Sequence, residues 1–166
     1  MPAAADESDS WHDHVVISEV LASASSASYN GTDWNGDGYI GSSSDQFIEL
    51  WNPTDQTINI SNWVLDDVIG GGSPACTIGW DTELAPDARL AFFRDYTEIE
   101  LDYWDGDTVN LMDDQGNLVH SMTYAPEDSW WDVPYTLLEN GSYWKDFDGP
   151  SPGADEPANW TGPSVG

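Results

Sequence analysis

Short apolar runs separated by turn-forming residues dominate the chain, and they constrain its fold more than any other feature. The runs "VVISEVLA" (residues 15–22), "FIELWN" (47–52) and "RLAFFRD" (89–95) have the length and the β-branched and aromatic content of strands. In "TINISNWVLDD" (57–67), apolar and polar residues alternate as they do in a half-buried strand. No segment shows an amphipathic helical repeat of more than a turn or two. We therefore expect an all-β fold.

The spacing of these runs predicts how the strands are arranged. "DTVNLMDDQGNLVHSMTY" (107–124) is typical of a β-hairpin, because two strand-like runs flank the turn "DDQGN". Strands that follow one another at intervals of about ten residues favour an antiparallel β-sandwich. A chain of 166 residues fits one such domain. We expect a polar N-terminal tail (1–14), the sandwich (15–149) and a Pro- and Gly-rich C-terminal tail (150–166).

The charge of the chain limits its partners. There are 31 acidic residues against 3 lysines and arginines, which gives a formal net charge of -28. Such a surface cannot release counterions from phosphates, so we expect no nucleic-acid partner and no attraction to anionic lipid. The repulsion within the fold could be offset by divalent cations, by high ambient salt, or by dispersal of the charges over a wide surface.

The loop "DWNGDGYIGSSSD" (33–45) has the beginning of an EF-hand calcium loop. Such loops place side-chain oxygens at the first, third and fifth positions, a glycine at the sixth and a backbone carbonyl at the seventh. The residues at these positions are Asp33, Asn35, Asp37, Gly38 and Tyr39. The twelfth position, which holds a bidentate Glu in an EF-hand, is Ser44, and no helices flank the loop. A complete EF-hand is therefore not expected.

A carboxylate from elsewhere in the fold could complete the ligand set. Asp45 follows the loop directly, and Glu49 lies on the next predicted strand. Calcium accepts irregular arrangements of hard oxygen ligands, so we predict Ca²⁺ as a cofactor at this loop. The alternative is a loop of Asx-turns, in which the Asp and Asn side chains only bind their own backbone.

The sequence contains no signature of catalysis. It has no G-x-S-x-G elbow, no H-E-x-x-H pair and no Gly-rich phosphate loop that opens a helix. The lone cysteine, Cys76, has no recognisable histidine partner, and we expect it to be a core thiol. We do not expect an enzyme.

Sequons for N-linked glycosylation are frequent. The pattern N-x-[ST] occurs at Asn30, Asn59, Asn140 and Asn159. Glycosylation requires export and exposed sites, so the excess predicts an extracellular or cell-surface protein. Accidental sequons in a polar-rich chain are the alternative. No apolar run approaches the ~20 residues of a membrane-spanning helix, so membrane insertion is not expected.

The order of the segments resembles the lamin-tail domain of exported bacterial and archaeal proteins. The resemblance covers residues 15–159, and its clearest elements are "FIELWNPT", "INISNWVL", "LAPDA", "GDTVNLMDDQGNLV" and "PSPGADEPAN". It implies an immunoglobulin-like β-sandwich that serves as a structural or interaction module. Several members carry an acidic Asn-Gly-Asp-Gly insertion between the first two strands, similar to "DWNGDGYIGSSSDQF" here. Association with chromatin, known of nuclear members, is not expected, because this chain lacks a basic surface.

Tryptophan is the remaining unusual feature, with 10 residues in the chain. Exposed tryptophans anchor protein interfaces or stack on sugars. We assign an interface role to Trp11, Trp130, Trp131 and Trp160, which lie in predicted loops or tails. Two functions follow. The first is a calcium-stabilised subunit of an extracellular filament or sheath, with copies of itself as partners. The alternative is an accessory module of a surface protein that binds cell-surface glycans through the loop tryptophans.

Overall fold

The computed structural model describes residues 12–124, 132 and 134–137, together with the backbone of 143–145. This part of the chain contains eleven β-strands, one helical turn and a 3-10 turn at Ala27–Tyr29. The strands are β1 (Val16–Leu21), β2 (Phe47–Trp51), β3 (Ile58–Asn59), β4 (Val64–Asp66), β5 (Cys76–Thr77), β6 (Glu83–Leu84), β7 (Arg89–Phe93), β8 (Asp107–Met112), β9 (Leu118–Tyr124), β10 (Tyr135–Leu137) and β11 (Tyr143–Lys145). The helix α1 is Arg94–Thr97. Among the described residues, no helix has the length and hydrophobicity that crossing a membrane would require.

The strands form two large antiparallel sheets and one small one. The first sheet has five strands in the order β11-β10-β1-β2-β7, and the second has four in the order β5-β4-β8-β9. Strands β3 and β6 pair separately. The predicted hairpin is present as β8 and β9, which pair along their whole length. The all-β antiparallel sandwich expected from the sequence is confirmed.

A single large apolar core lies between the two sheets. Ile48 and Phe92 project into it from the five-stranded sheet, and Leu65 and Leu111 meet them from the four-stranded sheet. All four side chains are at most 1% exposed. Cys76 also lies in this core, as expected, and burial raises the pKa of its thiol to about 11, so the group is an unreactive thiol at neutral pH.

A β-bulge in β1 decides which residues of that strand face the core. The register against β2 shifts between Ile17 and Glu19, so that Ile17 and Val20, three residues apart, both belong to the core. Glu19 pairs with Glu49, which alternates along β2 with core residues and so faces away from them. In a regular strand, Ile17 and Glu19 would share a face. The bulge therefore keeps a carboxylate out of the apolar interior.

The structure corrects one predicted strand and adds two that were not predicted. The segment 57–67 is not one strand. It is divided into β3, which belongs to the small sheet, and β4, which belongs to the four-stranded sheet. Between them lies Asn62, whose left-handed conformation (φ 63°) interrupts the extended chain. Leu65 is nevertheless buried, as the alternation predicted. The sequence analysis did not predict β10 and β11 as strands, because three-residue strands are too short to show a period of two.

Candidate metal centre

The segment between β1 and β2 covers the outer face of the five-stranded sheet. Leu21, Phe47 and Phe93 are cross-strand neighbours on that face and form a second apolar cluster with Trp34. The Trp34 ring lies 5.6 Å from that of Phe47, which lies 5.5 Å from that of Phe93. We call residues 22–46 the lid. Its acidic loop thus begins beside a tryptophan that is anchored on the sheet.

The side chains of the acidic loop turn back onto the loop's own amides. The two oxygens of Asp33 accept hydrogen bonds from the backbone N–H groups of Asp37 (3.2 Å) and Gly38 (2.9 Å). The N–H of Asp37 also donates to Oδ1 of Asn35 at 3.1 Å. Oδ1 of Asp37 accepts the N–H of Tyr39 at 2.7 Å. The oxygens of these three side chains are therefore gathered on one short stretch of backbone.

Glycine at position 38 is required by the backbone conformation. Gly38 has φ 88°, in the left-handed region that residues with a Cβ rarely adopt. A Cβ there would meet no atom within 4 Å, so packing places no further demand on the position. The bend at Gly38 therefore lies at the sixth position of the loop, where an EF-hand loop has its glycine; the role of the Tyr39 carbonyl stays a prediction.

Asp45 closes the loop from its buried side. The residue is 0% exposed, and its Oδ1 accepts the N–H groups of Trp34 (2.9 Å) and Asn35 (3.2 Å). Oδ2 accepts the N–H of Gly41 at 2.7 Å. Burial raises the pKa of the Asp45 carboxyl, and the nearby charge of Asp33 raises it further against these hydrogen bonds. A cation beside Asp45 would stabilise its ionised form.

Glu49, the other carboxylate predicted to complete the site, is engaged elsewhere. Its side chain is 1% exposed and accepts hydrogen bonds from the hydroxyl of Ser18 and from Nη1 of Arg89 at 3.2 Å. None of the contacts described for Glu49 is with the acidic loop. Of the two carboxylates, Asp45 is the one that bonds to the loop's amides, because it lies two residues before β2 while Glu49 lies in the middle of that strand.

Asp132 is a structural anchor of the lid that the sequence analysis missed. Its carboxylate accepts the N–H groups of Ser25 (2.6 Å) and Thr32 (2.7 Å) and the indole N–H of Trp34 (3.3 Å). Its own N–H donates to the carbonyl of Ser23 at 2.8 Å. Asp132 lies about a hundred residues from its partners, so no local pattern could have revealed it. The only local signal is an Asp beside Trp130 and Trp131, for which the sequence suggested an interface.

A second missed carboxylate lies at the exposed side of the loop. Asp95, in α1, accepts a long hydrogen bond of 3.5 Å from Nδ2 of Asn35, 60 residues earlier in the sequence. Because β7 pairs with β2 and α1 follows β7 directly, α1 starts near the end of the lid. Asp95 thus adds a further negative charge next to Asn35 and Asp37.

The donor set of the loop fits calcium better than a softer metal. Within the described residues, no three His, Cys, Asp or Glu side chains are close enough to hold a metal by themselves. A site here would have to combine Asp33 and Asp37 with the amide oxygen of Asn35 and the carbonyl of Tyr39, which is a mixture that calcium accepts. Each hydrogen-bonded carboxylate oxygen keeps a second lone pair for a cation.

Two further observations agree with a missing polar partner at the loop. Ser44, at the twelfth position, buries its hydroxyl oxygen without a hydrogen-bond partner. The ion pairs of the described residues involve none of Asp33, Asp37 and Asp45. Buried unpartnered oxygens are rare in folded proteins, and a bound ion or its water would supply the partner.

The other predicted sites are partly within the described residues. Asn30 and Asn59 are both exposed, and the side-chain oxygen of Asn59 accepts the N–H of Ser61 at 2.8 Å. Asn140 and Asn159 lie outside the described residues, as do Trp11, Trp130, Trp131 and Trp160. The interface role of these tryptophans stays a prediction.

Comparison with known proteins gives one result. The family model described as the Lamin Tail Domain matches residues 9–126, which is more than half of the chain. The matched region begins before β1 and ends just after β9, so it includes the lid and the acidic loop. No curated protein sequence matches the chain significantly.

Proposed function

The chain belongs to the lamin tail domain family, whose fold is immunoglobulin-like, and we propose that it is a non-catalytic structural protein stabilised by calcium. More specifically, it acts as a self-assembling subunit of an extracellular filament or sheath. Ca²⁺ bound at the acidic loop fixes the lid on the outer face of the five-stranded sheet, and edge strands or tails join neighbouring copies.

The arrangement of the acidic loop is the observation that carries the calcium part of this proposal. Asp33, Asn35 and Asp37 supply oxygens at the expected spacing, and the buried carboxylate of Asp45 closes the loop behind them. These groups concentrate negative charge in the loop, and among the described residues no ion pair involves Asp33, Asp37 or Asp45. Bound calcium would relieve that repulsion and hold the lid in one conformation.

Edge strands support the assembly part of the proposal. β9 is seven residues long and, among the described residues, pairs only with β8. Its first residue, Leu118, is 57% exposed. Strands at the edge of a sheet can accept a strand from another chain, and a long edge with an exposed apolar residue favours such pairing.

Exposed sequons support an extracellular location. Asn30 lies at the end of the 3-10 turn Ala27–Tyr29, and Asn59 lies in the two-residue strand β3. Both side chains are exposed and so are accessible for glycosylation, which we propose at these two sites and at Asn140 and Asn159.

The calcium site is tested by thermal unfolding of the wild-type protein and Asp37→Ala in calcium and in chelator. In calcium the wild type should gain stability, about 2.7 kcal/mol when the free ion is at a hundred times its dissociation constant. Asp37→Ala should lose most of that gain and should match the wild type in chelator, since Asp37 is exposed. Asp114→Ala removes an exposed carboxylate from the β8–β9 turn and serves as the control. If Asp37→Ala and Asp114→Ala respond alike, the loop is not the calcium site.

Assembly is tested by electron microscopy of the full chain in calcium and after chelation. Regular polymers that fray or disperse on chelation are the expected result. Polymers that persist unchanged in chelator would show that assembly does not depend on calcium. Dispersed monomers under both conditions would overturn the filament proposal and leave the calcium site to be judged by the unfolding experiment alone.

A further inference from the structure

A cavity of about 490 Å³ opens between the lid and the segment that follows α1. Its described lining consists of Ser25, Ser26, Tyr29, Ser42 and Tyr103. We call it the tyrosine cavity. Its volume lies within the range of small-molecule sites, roughly 300–1,000 Å³.

The two tyrosines give the cavity aromatic walls of different kinds. Tyr103 packs against the main core, and its ring lies 4.8 Å from that of Trp104, so its position is fixed. Tyr29, in the 3-10 turn, is 82% exposed. An aromatic ring so exposed gains little from the folded protein itself, whereas a ligand stacked on it would bury its apolar face.

Serine hydroxyls supply the polar part of the lining. Ser25, Ser26 and Ser42 each offer one donor and two acceptor positions, and no hydrogen bond of these hydroxyls is found within the described residues. Ser25 is held in place through its backbone, because its N–H donates to the anchoring carboxylate of Asp132 at 2.6 Å. At least the Ser25 hydroxyl therefore lies on an anchored segment next to the aromatic walls.

The described lining carries no charge, which is unusual in a chain with a net charge of -28. A second cavity, of about 570 Å³, shows the contrast. Its lining includes five carboxylates, those of Asp67, Glu98, Glu100, Asp102 and Asp107. The described lining thus offers a ligand aromatic faces and hydroxyls and contributes no charged side chain, while the acidic protein around it repels anions.

We propose that the tyrosine cavity binds a neutral saccharide, with a sugar ring stacked on Tyr29 next to Tyr103 and its hydroxyls bonded to the three serines. A sugar ring presents an apolar face of C–H groups and an edge of hydroxyl groups, which matches the two parts of this lining. Anionic sugars are disfavoured by the acidic surface. The inference goes beyond calcium binding and assembly and depends on neither. It places recognition at Tyr29 of the lid and at Tyr103, not at the four tryptophans to which the sequence assigned an interface role.

The test is saturation-transfer-difference NMR followed by titration of the full chain, produced in a host that does not glycosylate it. The probes are the methyl glycosides of glucose, galactose, mannose and N-acetylglucosamine, with methyl glucuronide as the matched anionic probe. At least one neutral glycoside should bind at millimolar concentration, and methyl glucuronide should bind more weakly. Tyr29→Ala should weaken binding at least about tenfold, while Tyr29→Phe should retain most of it.

Trp80→Ala is the matched control, because Trp80 is 65% exposed and does not line the cavity. It should leave the affinity unchanged. Tyr29→Ala removes an exposed side chain, so the variant should remain folded, which a thermal melt verifies. The proposal is overturned if no neutral glycoside binds, if Tyr29→Ala binds as tightly as the wild type, or if the anionic probe binds best.

Discussion

The two faces of the five-stranded sheet are stabilised in different ways. The inner face contributes apolar side chains such as Ile48, Leu50 and Phe92 to one continuous core shared with the other sheet. On the outer face, the apolar cluster under Trp34 lies at one end, the buried carboxylates of Glu19 and Glu49 lie beyond it, and Val16 pairs with Trp51 at the other end. Burial of apolar surface is non-directional, whereas a buried polar group needs a partner in a defined position.

The lid over the outer face is accordingly held by side chains that bond to backbone groups. Asp45 and Asp132 each accept backbone N–H groups from two or more positions within it. Gln46 bonds through Nε2 to the carbonyls of Ala22 (2.7 Å) and Leu101 (2.9 Å). We therefore expect the inner face to provide most of the stability. On the outer face, directed hydrogen bonds hold the lid in a defined position, which a binding site requires.

The largest expected effect would come from a cavity in the inner core. Phe92→Ala should lower the free energy of unfolding by about 3–5 kcal/mol, because Phe92 is fully buried between two sheets that cannot close around the gap. Trp34→Ala should cost less, about 2 kcal/mol, because the lid can collapse onto the sheet. Denaturant unfolding measures both values.

Hydrogen exchange then separates the two variants. Trp34→Ala should speed exchange in residues 22–46 and leave the core strands protected, since the lid can open without global unfolding. If Trp34→Ala destabilises the protein as much as Phe92→Ala and exposes every strand, the lid is part of the main cooperative unit and the distinction between the faces fails.

The next effect concerns the polar closure of the lid. Asp45→Ala leaves the N–H groups of Trp34, Asn35 and Gly41 without their acceptor and should cost about 2–3 kcal/mol. Asp45→Asn keeps one side-chain oxygen as an acceptor and should cost less. Both variants should lose the stabilisation by calcium, which thermal unfolding with and without chelator measures. If Asp45→Asn is stabilised by calcium as much as the wild type is, Asp45 is not part of the calcium site.

The smallest effect depends on pH and on His120, which connects the two sheets. Nδ1 of His120, in β9, accepts the N–H of Ile17, in β1, at 3.1 Å. Burial, together with the smaller effect of the nearby His14, lowers the pKa of His120 to about 4. The unfolded chain therefore binds a proton near pH 6.5 that the folded protein accepts only near pH 4. The contribution of His120 to stability is complete above pH 6.5 and is lost as the pH falls toward 4.

We expect a loss of about 1–3 kcal/mol over that interval, on top of the effect of the carboxylates. Asp45 affects the pH dependence of stability in the opposite direction. Because its pKa is raised, the folded protein takes up a proton more readily than the unfolded chain does, and this favours the folded state as the pH falls. His120→Gln removes the titrating group, so unfolding in denaturant at pH 7 and pH 4.5 should show a smaller pH-dependent loss than in the wild type. Equal losses in the two proteins would show that His120 does not titrate as its burial implies.

Much of the fold and part of the candidate site could be predicted from the sequence. Strands β1, β2, β7, β8 and β9 coincide with runs whose composition and alternation indicated them. The membership of the lamin tail domain family, inferred from the order of these segments, is confirmed. The acidic loop was recognised from the spacing of Asp33, Asn35 and Asp37. Calcium binding, glycosylation, the tryptophan interface and self-assembly remain predictions.

Contacts between distant residues could not be predicted. The bulge in β1 places Glu19 beside Glu49, and the sequence "VVISEVLA" shows no sign of it. The attachment of Asp132 to the lid joins residues about a hundred positions apart. That Asp45 bonds to the loop's amides, while Glu49 bonds to Arg89, also follows from where β2 begins.

The sequence by itself determined the local properties of this protein: which segments extend, where the chain turns, how acidic its surface is, and how oxygens are spaced along residues 33–39. Each of these depends on neighbouring residues, whose spacing along the backbone is fixed by covalent geometry. Only the tertiary structure decided which carboxylates are buried, which of them meet the loop, and which described residues line the tyrosine cavity. Those outcomes depend on how sheets pack and on desolvation, and both are set by residues far apart in the chain.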